Sequence, residues 1–217
     1  MNEKLEIRQT EERLAPLQIL QARFLGKAMR FREHHASGGF DPMSLLAYAA
    51  LKRTLFLLDG FIGTVRDRNL VCAGALLRVQ LDTALRFFAA FLVSDPRDFA
   101  EAVLKGAKVN ALLDRHDQKL RDRHLVDHAA KEFPWVTSVY EQSSGFVHFS
   151  EKHLFFGQSA VEANAQSTLV GVNISSFDDV PDSALDEAAV AFARAAELVD
   201  LYVARWVETE KRPKAAV

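Results

Sequence analysis

Three charged side chains inside an otherwise apolar run are the first place in this sequence to look for chemistry. Arg78, Asp82 and Arg86 lie four residues apart between Leu76 and Phe88. On a helix each step of four drifts by only about 40°, so the three side chains share one narrow stripe. Charges on a helix that is apolar elsewhere are either buried with partners or face a cleft. Asp82 can serve both arginines, yet the trio keeps one surplus positive charge. If the trio is buried, a further carboxylate or an anionic ligand should complete it, because an unmatched buried charge is costly. Asp59, Glu141 and Glu151 are the in-chain candidates. The guanidinium fork matches carboxylate and phosphate, so the stripe reads either as an ion-pair brace between helices or as an anion site. Gly74 and Ala90 extend the same line with small residues and are expected to leave room above and below the charges.

The second concentration of reactive types runs from Tyr140 to His153 and holds Ser144, His148 and Ser150. If a helix continues past Gly145, Tyr140, Ser144 and His148 share a face. If it stops there, Phe146, His148 and Ser150 share a face of an extended stretch. In either case Val147 and Phe149 flank His148, an apolar setting expected to lower its pKa and favour the neutral imidazole. Arg78, Asp82, Arg86 and His148 are therefore the candidate catalytic residues, and Tyr140, Ser144, Ser150 and His153 the candidate binding residues. The competing reading of His148 is a core histidine satisfied by one hydrogen bond.

Metal chemistry has weaker support. His124 and His128 have the i, i+4 spacing that can clamp one ion, with Asp127 adjacent, but no third ligand stands at a fixed spacing. His116-Asp117 looks like the paired ligands of helical metal phosphohydrolases, but it falls in a charged loop. No glycine-rich phosphate loop, nucleophile elbow or dinucleotide fingerprint is present. No metal and no cofactor is expected.

The elements that must position these residues are mostly helices. The segment 3–35 has helical composition, with Pro16 marking a start or a kink. Asp41-Pro42 opens a second helix in the preferred order, a capping carboxylate followed by a first-turn proline, and that helix runs to about Arg66. A third, apolar on nearly every face, runs from about Leu70 to Val93 and is the expected centre of a bundle. Asp95-Pro96 repeats the start signal for a short helix ending near Gly106. Two short helices around a loop at Asp117 are expected within 108–131, and another helix starts at Phe133-Pro134-Trp135.

From Leu154 the period changes, and alternation at Val170, Val172 and Ile174 predicts a β-hairpin over 154–174. A last helix over about 182–210 carries Leu185, Ala189, Phe192, Ala196, Val199, Val203 and Trp206 at alternating spacings of four and three. That stripe is a seam for close packing, in the core or, as the rival reading, between two copies in a homodimer. The expected fold is mainly all-α: a multi-helix up-and-down bundle in one domain, 1–217, with the hairpin inserted before the C-terminal helix and 1–38 as a peripheral segment.

Composition sets outer limits. Hydrophobic residues form 49% and charged residues 26% of 217, an ordinary globular balance, and the net charge of −2 gives no global pull toward nucleic acid or acidic membranes. The single cysteine, Cys72, stands among Val71, Ala73 and Gly74 and reads as a small buried apolar residue. Arg78, Asp82 and Arg86 interrupt the one run apolar enough to suggest a membrane span, so no membrane partner is expected. The start, Met1 to Glu6, has no apolar stretch of a secretory signal, and the expected location is cytoplasmic.

The run from Arg78 to Arg86, followed by Ser143-Ser144-Gly145-Phe146-Val147-His148, resembles a bacterial all-helical family with an arginine-then-acid helix and a serine-to-histidine segment. Over residues 42–155 that family is distantly similar to the HEPN and abortive-infection type of helical bundle. The resemblance implies a defence or stress effector acting on RNA or another phosphate-bearing ligand, with arginine stabilising the phosphorane and histidine moving the proton. HEPN nucleases carry an arginine with four to six residues between it and a histidine. Arg30 with His35, Arg123 with His128 and Arg121 with His128 fit that spacing, and none of these pairs involves His148. The alternatives from the residues themselves are a non-enzymatic scaffold braced by the stripe and a small-anion sensor.

Overall fold

The computed structural model describes residues 2–36, 40–148, 158–164, 167–172 and 180–210. Seven α-helices occupy most of them: α1 (Asn2–Ala36), α2 (Pro42–Arg66), α3 (Leu70–Phe88), α4 (Pro96–Leu104), α5 (Asp122–Ala129), α6 (Trp135–Val147) and α7 (Asp182–Glu210). The chain is an all-α bundle built around α3, which packs against α2, α5, α6 and α7. Helix α2 also meets α1, α4 and α7, and α1 meets α7.

The helix starts follow from local chemistry. The Asp41 carboxylate accepts the backbone N–H of Met43 at 2.9 Å and of Ser44 at 3.3 Å, and Pro42 costs nothing in the first turn, where its missing N–H has no partner anyway. Asp95 repeats the arrangement for α4, accepting from Arg97 at 2.7 Å and Asp98 at 3.1 Å. Asn69 caps α3 through Cys72 N–H at 3.1 Å. Pro16 lies inside α1, which runs through it, so it does not mark a helix start. Leu14, Leu17, Leu20, Phe24 and Ala28 give α1 a buried stripe, so it contributes to the core and is not a peripheral segment.

Helix α3 ends at Phe88, short of the expected Val93. Residues Ala89–Phe91 tighten into a 3₁₀ turn, with Leu92 N–H donating to Ala89 at 3.0 Å. The loop that follows α4 ties off this end: the Arg115 guanidinium donates to the carbonyls of Leu92 at 3.0 Å and Val93 at 3.3 Å. In the same loop a 3₁₀ turn, Val109–Ala111, stands in place of the first of the two short helices expected there. Asp117 takes a left-handed φ of 59° in the turn itself.

Helix α7 buries Leu185, Ala189, Phe192, Ala196, Val199 and Val203 within the chain, and Trp206 is half-buried. Phe192 stacks on Phe61 of α2 with centroids 4.1 Å apart. The stripe is thus used inside the bundle. Cys72 corrects another expectation: it is exposed, as is Val71 beside it, while Ala73 and Gly74 take the buried side of α3.

In the interval 154–174, residues 154–157, 165, 166, 173 and 174 lie outside the described residues. The described backbone holds two strands, β1 (Gln158–Asn164) and β2 (Ser167–Val172), paired antiparallel with a register shift between Ala160 and Glu162. No described helix is long and apolar enough to cross a membrane.

Candidate functional site

The stripe on α3 is completed by a residue that none of its spacings suggested. Asp122, in the first turn of α5, reaches both arginines. It accepts from Arg78 Nη2 at 3.1 Å and from Arg86 Nη2 in a shorter contact. Asp82 bonds Arg86 Nε at 3.1 Å and lies 3.9 Å from Arg78 Nη1. Two guanidinium groups and two carboxylates thus form a neutral ring of four that fastens α5 to α3. The other candidates are engaged elsewhere: Asp59 accepts from Gln21 at 3.1 Å, and Glu141 from Arg123 at 3.2 Å. Glu151 lies outside the described residues.

The ring is not sealed. The Arg78 side chain is 12% exposed, Arg86 26%, Asp82 31% and Asp122 33%. A cavity of about 320 Å³ opens beside it, lined by Arg53, Arg78, Val79, Asp82, Asp122, Tyr140, Ser144, Val147 and His148. Helix α6 continues past Gly145 to Val147, so Tyr140, Ser144 and His148 do share a face, and that face meets the α3 stripe. Four catalytic and binding candidates (Arg78, Asp82, Tyr140 and Ser144) therefore stand on one wall system with His148, while Arg86, also a member of the ring, lines the neighbouring pocket. Ser150 and His153 lie outside the described residues.

What each group can do depends on what it already holds. Arg78 stacks its guanidinium on the Tyr140 ring at 4.3 Å, a cation–π contact that fixes both. The Ser144 hydroxyl donates to its own helix at the Tyr140 carbonyl, 2.6 Å away, and has no proton left for a ligand. His148 caps the end of α6 and is exposed, so the apolar enclosure expected of it is absent. Among the described residues its ring and the Tyr140 hydroxyl have no hydrogen-bond partner.

Arg53, on α2, is the second residue the spacing arguments missed. Its Nε donates to the Thr83 hydroxyl at 3.0 Å, and that hydroxyl donates to the Val79 carbonyl at 2.9 Å. Among the described residues no carboxylate pairs with Arg53. It lines the polar cavity and also a second one of about 300 Å³, whose other walls include Leu46, Phe87, Phe99, Val103 and Val109. Asp82 borders both as well. The usable signal in the sequence was only that an arginine on α2 stands beside Thr54, in the helix that packs against α3.

The space expected beside Gly74 is taken. A Cβ built there would collide with the Phe146 ring, so Gly74 lets α6 approach α3 closely. Ala90 is buried in the 3₁₀ turn. Neither leaves room for a ligand.

The histidine pair is structural in its contacts. His124 Nε2 bonds the Asp114 carboxylate at 2.9 Å, His128 Nδ1 bonds the His124 carbonyl at 2.9 Å, and the rings lie 4.3 Å apart. Burial raises the Asp114 carboxyl, but the N–H groups of Gln118 and His116 and the His124 ring outweigh it and hold it below the usual aspartate value. Among the described residues no cluster of three or more His, Cys, Asp or Glu could hold a metal.

Compared with protein-family models, curated proteins and solved structures, the chain matches none.

Proposed function

We propose that this chain is a ligand-binding helical bundle that senses a small anion, with Arg78, Asp82, Arg86 and Asp122 as the brace of the site. Charge matching carries the reading. The two carboxylates offset the two stripe arginines, while Arg53 faces the same cavity without a carboxylate partner among the described residues. The surplus positive charge inferred from the stripe thus reappears on α2. The Nη groups of Arg53, the Tyr140 hydroxyl and the His148 ring supply donors for an anion.

A thermal-shift panel of phosphate, sulfate and simple carboxylates tests this, run on the native chain and on Arg53→Ala. An anion at about a hundred times its Kd should stabilise the native chain by about 2.7 kcal/mol. In a domain of this size that is a rise in Tm of roughly 5–10 °C, absent in the variant. A panel with no stabilising anion would overturn the reading.

A HEPN-like effector acting on RNA has one observation in its favour, the meeting of Arg78, Tyr140, Ser144 and His148 in one cavity. In that reading His148 moves the proton and the arginines stabilise the phosphorane. A phosphate would first have to displace Asp122 from both arginines, which is the cost that places this reading second. Incubation of RNA with the native chain and with His148→Ala separates the two, and equal cleavage by both removes it.

A further inference from the structure

The anion-sensing reading leaves open which anion, and the second cavity bears on that. Its walls come from three helices and the turn after α4: Leu46 on α2, Phe87 on α3, Phe99 and Val103 on α4, and Val109. Phe87 and Phe99 are buried at 2% and 4% exposure, so the aromatic walls are fixed by core packing before any ligand arrives. The polar groups bordering it stand with Arg53: Thr83, Asp82 and Arg86. Arg86 is already matched by Asp82 and Asp122, which among the described residues leaves the Arg53 guanidinium as the unmatched charge at the cavity.

Resting on the reading above, we infer that the ligand is a monocarboxylate with a short apolar or aromatic tail. Its carboxylate would take the two Nη groups of Arg53, and its tail would lie between α2, α3 and α4. Three observations select this class. Arg53 and Asp82 line both cavities, so a head group at Arg53 has the apolar pocket next to it. The Arg53 Nε is held by Thr83, which orients the fork and leaves one bidentate face suited to a carboxylate. Asp82 adjoins the same place, and its negative charge opposes a dianion such as phosphate more strongly than a monoanion. The volume of about 300 Å³ stands at the lower end of the roughly 300–1,000 Å³ of small-molecule sites, which limits the tail to a few carbons or one ring.

Calorimetric titration of the full chain with butyrate, hexanoate, octanoate, phenylacetate, hexanol and inorganic phosphate tests the inference. Affinity should rise roughly three- to fourfold per added methylene until the pocket is full. Hexanol should bind at least tenfold more weakly than hexanoate, and Arg53→Ala should erase that difference. Ala49→Phe, at an exposed position on the pocket wall, should remove the tail-length dependence while short carboxylates still bind. Carboxylates that bind through Arg53 with no dependence on tail length, or phosphate binding more tightly than all of them, would overturn this inference and leave the anion reading standing. Hexanol equal to hexanoate would overturn it as well. No binding by any anion would overturn both.

Discussion

The ring of Phe146 occupies the volume that a Cβ on Gly74 would fill, and this contact sets how closely α6 lies against α3. Everything that α6 brings to the cavity, Tyr140, Ser144 and His148, is positioned through that approach.

Gly74→Ala should therefore act on the site as well as on stability. Overpacking a tight helix contact costs about 1–3 kcal/mol, and here it would push α6 outward. We expect a Tm lowered by roughly 3–8 °C. The double variant Gly74→Ala, Phe146→Ala should lose less than the sum of the two single losses, which denaturant melts of all four proteins would read as a coupling between the positions. Strict additivity would mean that the ring moves aside at no cost.

Asp122→Ala removes one corner of the ring and leaves two arginines for Asp82 alone. A third of the carboxylate is exposed, so solvent shields part of the loss. A decrease of about 1–2 kcal/mol is expected, between a surface pair and a buried one. Asp59→Ala, where among the described residues the carboxylate accepts only from Gln21, should cost under about 0.5 kcal/mol. Urea melts of both variants check the ranking.

Stability at low pH should depend on Asp114. Its folded value lies below the unfolded 3.8, so the unfolded chain binds the proton more readily. The contribution is complete at neutral pH and drains away as the pH falls through 3.8 toward the lower folded value. Asp182 and Glu132, held down by Arg68 and Arg205, slope the same way. Asp114→Asn should thus give a shallower loss between about pH 5 and pH 2 than the native chain does, measured by denaturant melts at each pH.

Tyr202 is wedged among Phe88, Phe91 and Phe133, with its hydroxyl buried and without a hydrogen-bond partner among the described residues. Burial, with Glu132 nearby, raises its phenol well above the usual range, so it stays neutral. Tyr202→Phe keeps the ring contacts and deletes a polar atom left unsatisfied there. Tm should hold or rise by a few degrees, since such an atom costs about 1–3 kcal/mol. A clear fall would point to a partner for the hydroxyl.

Local chemistry was readable from the sequence, and distant pairing was not. Asp41-Pro42 and Asp95-Pro96 mark their helix starts because a cap acts over two or three residues. The seam of α7 is visible because its period belongs to a single helix. The demand for another carboxylate near Arg78 and Arg86 could be stated from charge alone, but its source, Asp122, lies 44 and 36 residues away with no spacing to mark it. Arg53 escaped notice for the same reason. Cys72 was misjudged because apolar neighbours along the chain do not fix which side of a helix a residue faces. Gly74 suggested empty space because the aromatic ring that fills it comes from a different helix.

The partnership of the first and last helices bears on how the protein is made. Arg13 is held by Asp182 and Asp186, Arg23 by Glu197 and Lys27 by Asp200, all pairs between α1 and α7. Helix α3 also buries much of its surface against α7. During translation, therefore, the side of the central helix that faces α7 and part of the α1 stripe stay uncovered until α7 leaves the ribosome. Until then that side of the nascent bundle is open to chaperones or to other chains.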